Sequence, residues 1–198
     1  MFTGIIEAVG RVAAVKPAGQ SAALTIDAGG LDMSDVAIGD SIACNGVCLT
    51  VTSLVPNGFA VDVSQETLRV TTGFGAGNAI NLEKSLRLSD RLGGHLLCGH
   101  VDGSGEVTAI KPSDGNREIS VRFPVELGRY IARKGSIAIN GVSLTVNVVT
   151  SDTFSVNLIP HTLAVTNLID LKQGDRVNLE IDLVARYVER MFDRDDQR

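Results

Sequence analysis

Three groups of side chains in this sequence are of types that move protons or attack electron-poor carbon. The first is Ser41, Cys48 and Thr50, in the run SIACNGVCLTV at 41–51. A thiol flanked by hydroxyls can add to a polarised ring or relay a proton to one. At an unperturbed pKa of about 8.5, only about 3% of such a thiol is ionised at pH 7. Cys48 therefore needs an activating neighbour, and none is visible; an inert filler thiol is the alternative. The second group lies in GGHLLCGHVDG at 93–103. On a strand, His95 and His100 face opposite ways while Cys98 and His100 share a face. A metal would want a third or fourth ligand at close spacing, so no metal is expected. His100 is the candidate acid, base or hydrogen-bond donor. The glycines around it mark either a barrel corner or backbone that a flat ligand can approach. The third group is Ser143 and Thr145, with Lys134 before them and Asp182 at the start of a helical stretch. Asp182 reads first as an N-cap and Lys134 as a solvated charge.

The elements that position these residues come in two copies. The run SIAINGVSLTV at 136–146 matches the run at 41–51 in nine of eleven places, offset by 136 − 41 = 95. The same offset carries Gly4, Gly10 and Val12 onto Gly99, Gly105 and Val107, and Thr67, Leu68 and Thr71 onto Thr162, Leu163 and Thr166. The chain is a tandem duplication. In each copy Asn-Gly sits between β-prone runs, the hairpin signature, because a type I′ turn needs positive φ at both central residues. Strands are expected at 9–16, 23–27, 41–43, 47–54, 59–63 and 78–83, with counterparts at 154–158 and 176–181. That pattern predicts a small antiparallel barrel or sandwich in each half.

Period-two geometry points Val47, Leu49 and Val51 inward and Cys48, Thr50 and Thr52 outward. In the second copy Val142, Leu144 and Val146 point inward, and Ser143, Thr145 and Asn147 outward. The copies thus carry equivalent polar faces that differ at Cys48 against Ser143. Glu66 likewise faces His161 across the repeat. One short turn of helix is expected at 66–70 and another at 161–165. Leu183, Val184, Tyr187, Val188, Met191 and Phe192 make an apolar stripe on a C-terminal helix, with Arg186, Glu189, Arg190 and Asp193 opposite. That stripe either docks on its own barrel or pairs with another copy.

A net charge of −5 argues against a nucleic-acid partner. No apolar run reaches the roughly 18 residues of a membrane span, and the first residues lack a secretory leader's basic and apolar regions. Three cysteines fit reduced thiols, so a soluble cytoplasmic protein is expected. Neither a dinucleotide fingerprint, a Walker loop nor a nucleophile elbow is found.

The runs MFTGIIE at 1–7, NGVCLTV at 45–51, GGH at 93–95, GHVDG at 99–103, NGVSLT at 140–145 and IPHT at 159–162 together resemble the α-chain riboflavin synthase family along the whole chain. The resemblance implies an all-β fold of two tandem six-stranded antiparallel Greek-key barrels plus a C-terminal amphipathic helix. It divides the chain into 1–97 and 98–182, each a lumazine-binding barrel, and 183–198, an oligomerisation helix and tail. It implies a homotrimer with no metal and no cofactor, and raises association with a lumazine synthase assembly. The reaction implied is the dismutation of two 6,7-dimethyl-8-ribityllumazine molecules. A four-carbon unit passes between them to give riboflavin and 5-amino-6-(D-ribitylamino)uracil. Carried over by motif, the N-barrel pocket is Gly4, Ile5, Ile6, Ser41, Cys48, Leu49, Thr50, Asp62, Val63, Ser64, Gln65, Glu66 and Thr67. The C-barrel pocket is Gly99, His100, Val101, Lys134, Ser143, Leu144, Thr145, Asn157, Leu158, Ile159, Pro160, His161 and Thr162. His100, Ser143 and Thr145, with Asp182 nearby, are expected to serve the ring that loses a proton; Ser41, Cys48 and Thr50 serve the ring that accepts a nucleophile at C7. The rival readings are a non-catalytic lumazine- or flavin-binding relative and a reductase's flavin barrel lacking its nicotinamide domain.

Overall fold

The computed structural model describes residues 1–192; Asp193, expected on the helix's polar face, and the rest of the tail lie outside the described residues. Apolar residues recurring every second position close each half on itself. In the first half these strands are β1 (Ala8–Ala18), β2 (Ser21–Asp27), β3 (Ser41–Cys44), β4 (Val47–Val55), β5 (Gly58–Val63) and β6 (Ala79–Lys84). In the second they are β7 (Gly103–Ser113), β8 (Asn116–Arg122), β9 (Ser136–Ile139), β10 (Val142–Val149), β11 (Thr153–Leu158) and β12 (Arg176–Ile181). Each half is a closed antiparallel barrel, ordered β1-β2-β5-β4-β3-β6 and equivalently in the second copy. Placing β2 beside β5 rather than β3 is the Greek-key crossing, and closure leaves no free edge. The expected strands fall within a few residues of these bounds, and β12 coincides with its expectation.

The duplication extends to irregularities. Register shifts occur between Val12 and Ala14 in β1 and between Val107 and Ala109 in β7; β4 and β10 shift at Val51/Ser53 and Val146/Val148. The same bulge at the same repeat position bends each strand round its barrel. The cores correspond as well. Val12, Leu24, Ile26, Phe59 and Leu82 are almost fully buried, and so are Val107, Ile119, Val121, Phe154 and Leu179. Each such side chain contributes about 1.5–3 kcal/mol on burial.

The barrels meet at the two Asn-Gly turns, which touch tip to tip. Asn45 and Gly46 have φ of 49° and 79°, Asn140 and Gly141 of 47° and 82°. A Cβ on Gly46 would stand 2.8 Å from the Gly141 nitrogen, and one on Gly141 2.7 Å from the Gly46 nitrogen. Glycine is required here by both backbone angle and proximity. Around the tips, Asn81 Nδ2 donates to the Asn140 carbonyl (3.0 Å) and Asn178 Nδ2 to the Asn45 carbonyl (2.9 Å), a reciprocal pair. The turns thus lie between the barrels, with Asn45 and Asn140 at the edge of a cleft of about 480 Å³. A small apolar cluster of Phe2, Ala43, Leu97 and Ala138, with Cys48 against it, fills the remaining junction.

Two short helices follow β5 and β11: α1 (Gln65–Val70) and α2 (Pro160–Val165). The last element is α3 (Leu183–Phe192). Its polar face touches the second barrel, where Arg186 pairs with Asp102 (2.6 Å), and Glu189 accepts from Tyr130 (3.0 Å) and pairs with Arg129. Apart from the half-buried Leu183, the apolar stripe turns away: Val184, Tyr187, Val188, Met191 and Phe192 are all exposed. Docking of the stripe on its own barrel, one of the two expectations, is excluded by this orientation.

Candidate functional site

Alternation along β4 leaves Cys48 half-buried and Thr50 exposed between the buried Val47, Leu49 and Val51. Across the ladder Cys48 stands opposite Ala43 and Thr50 opposite Ser41, which brings the first expected trio onto one patch. On β10, Ser143 stands opposite Ala138 and Thr145 opposite Ser136. Leu49, Val63, Leu144 and Leu158 point into the barrel cores. Their contribution to any ligand is therefore limited to main-chain groups. Ser64 caps α1, its hydroxyl accepting from the Thr67 amide (3.1 Å). Glu66 is tied to Arg69 (2.6 Å), while His161 in the matching place is exposed at the start of α2. Asp62, Gln65, Asn157, Ile159 and Pro160 are exposed beside them, and Thr162 is half-buried.

The glycine-led segments do not lie where the repeat alone would put them. The Ser143 amide donates to the Gly4 carbonyl (2.9 Å), and the Cys48 amide donates to the Gly99 carbonyl (2.8 Å). Ile6 packs on the second barrel's core and Val101 on the first's. Gly4, Ile5 and Ile6 therefore belong with the β10 face, and Gly99, His100 and Val101 with the β4 face: the expected pockets exchange these segments. The reason is close approach. A Cβ at Gly4 would fall 2.6 Å from Ser143 Cβ, and one at Gly99 2.5 Å from Cys48 Cβ. His100, exposed and next in the chain, follows Gly99 onto the β4 side rather than the β10 side.

The histidine beside Ser143 is His95, to which no role was expected. Its Nδ1 lies 2.7 Å from Ser143 Oγ. The ring is buried, and that burial pushes its pKa down against the opposing pull of Asp182. A neutral imidazole fixes the hydroxyl: with Nδ1 protonated it donates to Oγ and frees the serine proton for a ligand. The other tautomer makes Oγ the donor and leaves only its lone pairs. Its signal in the sequence was the preceding glycine pair, since a Cβ at Gly94 would stand 2.7 Å from Ser143 Cβ. Asp182 does cap α3, accepting from the Val184 amide (2.9 Å), and it is also the charge felt by His95. Burial pushes the thiols of Cys44 and Cys98 up.

Lys134 carries an unexpected mark. Its φ is +67°, a left-handed conformation that its counterpart Gly39 adopts at +97°. The two amides make equivalent bonds, Lys134 to the Val146 carbonyl (2.7 Å) and Gly39 to that of Val51 (2.9 Å). A side chain kept at a glycine position costs on the order of 1 kcal/mol, and such strain concentrates at functional sites.

A cleft of about 700 Å³ takes in Ile5 and Ser41 together with Glu83, Lys84, Arg87 and Arg91, but not Cys48, Thr50, Ser143 or Thr145. Among the described residues no three His, Cys, Asp or Glu side chains cluster as a metal site would require.

Two closed Greek-key barrels, each bearing a polar strand crossed by a glycine turn from the other half, define a duplicated small-ligand-binding protein. The family model described as "Lumazine binding domain" matches residues 3–85 and again 98–182. A riboflavin synthase of Brucella abortus (strain 2308) is 46% identical over 198 residues, covering 96% of this chain and 98% of the relative. Those of Photobacterium leiognathi (45%, 97% of this chain and 89% of the relative) and Bacillus subtilis strain 168 (41%, 97% and 90%) are similar. The chain belongs to the riboflavin synthase family. Among solved structures, LumP complexed with riboflavin superposes with a TM-score of 0.85 at 26% identity, covering 91% of this chain and 99% of that one. LumP complexed with 6,7-dimethyl-8-(1'-D-ribityl) lumazine gives 0.82, at the same identity and coverage.

Proposed function

We propose that this chain converts two molecules of 6,7-dimethyl-8-ribityllumazine into riboflavin and 5-amino-6-(D-ribitylamino)uracil, as a cofactor-independent transferase of the cytoplasm. The observation that carries the reading is the pair of matched faces with unlike chemistry: Cys48 beside Gly99 on β4, Ser143 beside Gly4 on β10. A reaction between two identical molecules needs two similar cradles, and the difference between cysteine and serine lets one act as donor site and the other as acceptor.

In the donor cradle a C–H bond of the C7 methyl breaks: its proton passes through the Ser143 hydroxyl to the neutral His95 imidazole, and its electron pair spreads into the ring. Ser143 and Thr145 face that ring, with the neutral His95 behind Ser143 and the Asp182 charge close by. In the acceptor cradle Ser41, Cys48, Thr50 and His100 surround the ring that is attacked at C7. The remaining carried-over residues hold the rings: Gly4, Ile5, Ile6, Lys134 and the stretch ending at Thr162 in one cradle, Gly99, Val101 and the stretch ending at Thr67 in the other. Holding two rings in register supplies much of the rate, since well-oriented partners reach effective molarities of about 10⁵–10⁸ M.

The two cradles meet between protomers of a homotrimer, with 1–97 and 98–182 as the lumazine-binding units and 183–198 as the assembly element. The outward stripe of α3 supports this, because an exposed apolar face of that kind marks a protein contact. The test is direct: the purified chain is given the lumazine alone. Riboflavin and the uracil product should appear in equal amounts. A lasting fluorescent complex without product would make the chain a binder, and bleaching of added NADPH would make it a reductase.

A further inference from the structure

We propose that Glu83 and Glu180 are crossed positioning residues, each anchored in one barrel and setting the ligand affinity of the cradle on the other. Glu83 lies on β6 and Glu180 on β12, equivalent strands of the two barrels, and they are 4% and 5% exposed. Glu83 Oε1 accepts from the Thr3 amide (2.6 Å) and the Thr3 hydroxyl (2.7 Å), and Oε2 from the Gly4 amide (3.0 Å). Glu180 accepts from the amides of Cys98 (2.7 Å), Gly99 (3.1 Å) and His100. Charge-assisted bonds of this kind are the strong ones, and a buried carboxylate left without them is costly. Each glutamate thus fixes a segment that has little regular structure of its own.

The far side of each segment is what gives the glutamates a reach beyond their own barrel. Gly4, gripped by the first barrel's Glu83, offers its carbonyl to Ser143 of the second (2.9 Å). Gly99, gripped by the second barrel's Glu180, offers its carbonyl to Cys48 of the first (2.8 Å). Each continuous path, carboxylate to segment to cradle strand, therefore begins in one barrel and ends in the other. Ile6 and Val101, two residues further on, pack into the opposite core and extend the same crossing. The glutamates are positioning residues because they act through Gly4 and Gly99.

The inference rests on the two-cradle reading above, and its test separates the two. Full-length wild type, Glu83→Gln and Glu180→Gln are titrated with 6,7-dimethyl-8-ribityllumazine by fluorescence. In parallel, iodoacetamide alkylation of Cys48 is followed by peptide mass spectrometry as ligand rises. Glutamine keeps the shape but replaces one acceptor by a donor. Glu180→Gln should need about tenfold more lumazine to protect Cys48, the equivalent of one charged hydrogen bond, with the second class of sites unchanged. Glu83→Gln should leave the Cys48 protection curve in place and weaken the other class by a similar factor. A merely structural role would weaken both classes together. That result, or each variant acting on its own barrel's cradle, overturns the inference while leaving the function intact. A wild-type chain that binds no lumazine overturns both. Should glutamine prevent folding, Thr3→Val removes the hydroxyl's bond to Glu83 (2.7 Å) and the one it accepts from the Ile5 amide of the same segment (3.2 Å). It should reproduce the Glu83→Gln pattern more weakly, and a shift in Cys48 protection with that variant would equally refute the crossing.

Discussion

His95 Nδ1 meets Ser143 Oγ at 2.7 Å, joining the connector between the barrels to the cradle strand of the second. Burial holds the imidazole pKa below its ordinary 6.5, with Asp182 opposing. A depressed folded-state pKa gives stability that is present in full above about 6.5 and is lost as pH falls through the folded value. The histidine's own contribution therefore lowers the melting temperature as pH falls below 6.5. His95→Gln, which cannot titrate, should lack that contribution, so wild type should lose stability relative to it across that window. Glu83 and Glu180 run the other way, because burial raises their pKa above 4.5. Their contribution is complete below 4.5 and is lost as pH rises through the raised values. The histidine effect is therefore read from the difference between the two melting curves. Parallel curves would remove His95 from the balance.

Lys134→Gly restores the residue that the first copy uses at the same backbone angle. Relief of left-handed strain, about 1 kcal/mol, is offset by glycine's greater freedom in the unfolded chain, roughly 0.5–1 kcal/mol. Chemical denaturation should thus show stability held or slightly raised, while lumazine affinity falls. A variant that binds as wild type does would make the strained lysine irrelevant to the cradle.

Gly99→Ala should be far worse than Gly19→Ala, although both backbones are left-handed. Nothing stands within 4 Å of a Cβ at Gly19, whereas at Gly99 it meets Cys48 Cβ at 2.5 Å. Strain alone costs about 1 kcal/mol, and the overlap adds roughly 1–3 kcal/mol. Urea midpoints of the two variants decide it; equal losses would mean that the crossing segment moves aside freely.

Cys48→Ser fits its site, since the second copy carries Ser143 in the same place. Stability should change little, while turnover of lumazine falls by at least about tenfold, near 1.4 kcal/mol of transition-state stabilisation. Full turnover would take Cys48 out of the acceptor cradle.

Val188→Asp and Met191→Asp place charge on the outward stripe of α3, where the residues are 46% and 71% exposed. Sedimentation should show smaller species than wild type, and turnover should fall with assembly. Unchanged sedimentation would leave the stripe without a partner.

Much of the fold was written in local pattern. Alternation in β4 and β10 named the inward and outward residues individually, and the Asn-Gly pairs marked both hairpins. Where Gly4 and Gly99 lie was not legible. Repeat alignment preserves order along the chain, whereas the carbonyl that Ser143 meets is chosen by the packing of one half on the other. His95 escaped for a related reason: its partner is 48 residues away, and only the narrow passage left by Gly94 brings them together. The strain at Lys134 was hidden too, because φ is not a property of residue type outside glycine and proline.

The tip-to-tip turns and the swapped segments have the form of an isologous contact, in which each side gives what it receives. Within a single chain, that is the geometry left when two copies of a self-pairing ancestor are fused end to end. Fusion freed equivalent positions to diverge: Gly39 from Lys134, Glu66 from His161, Cys48 from Ser143. A symmetric ancestor must offer the same cradle twice, so the division of labour proposed for the two cradles could arise only after the joining.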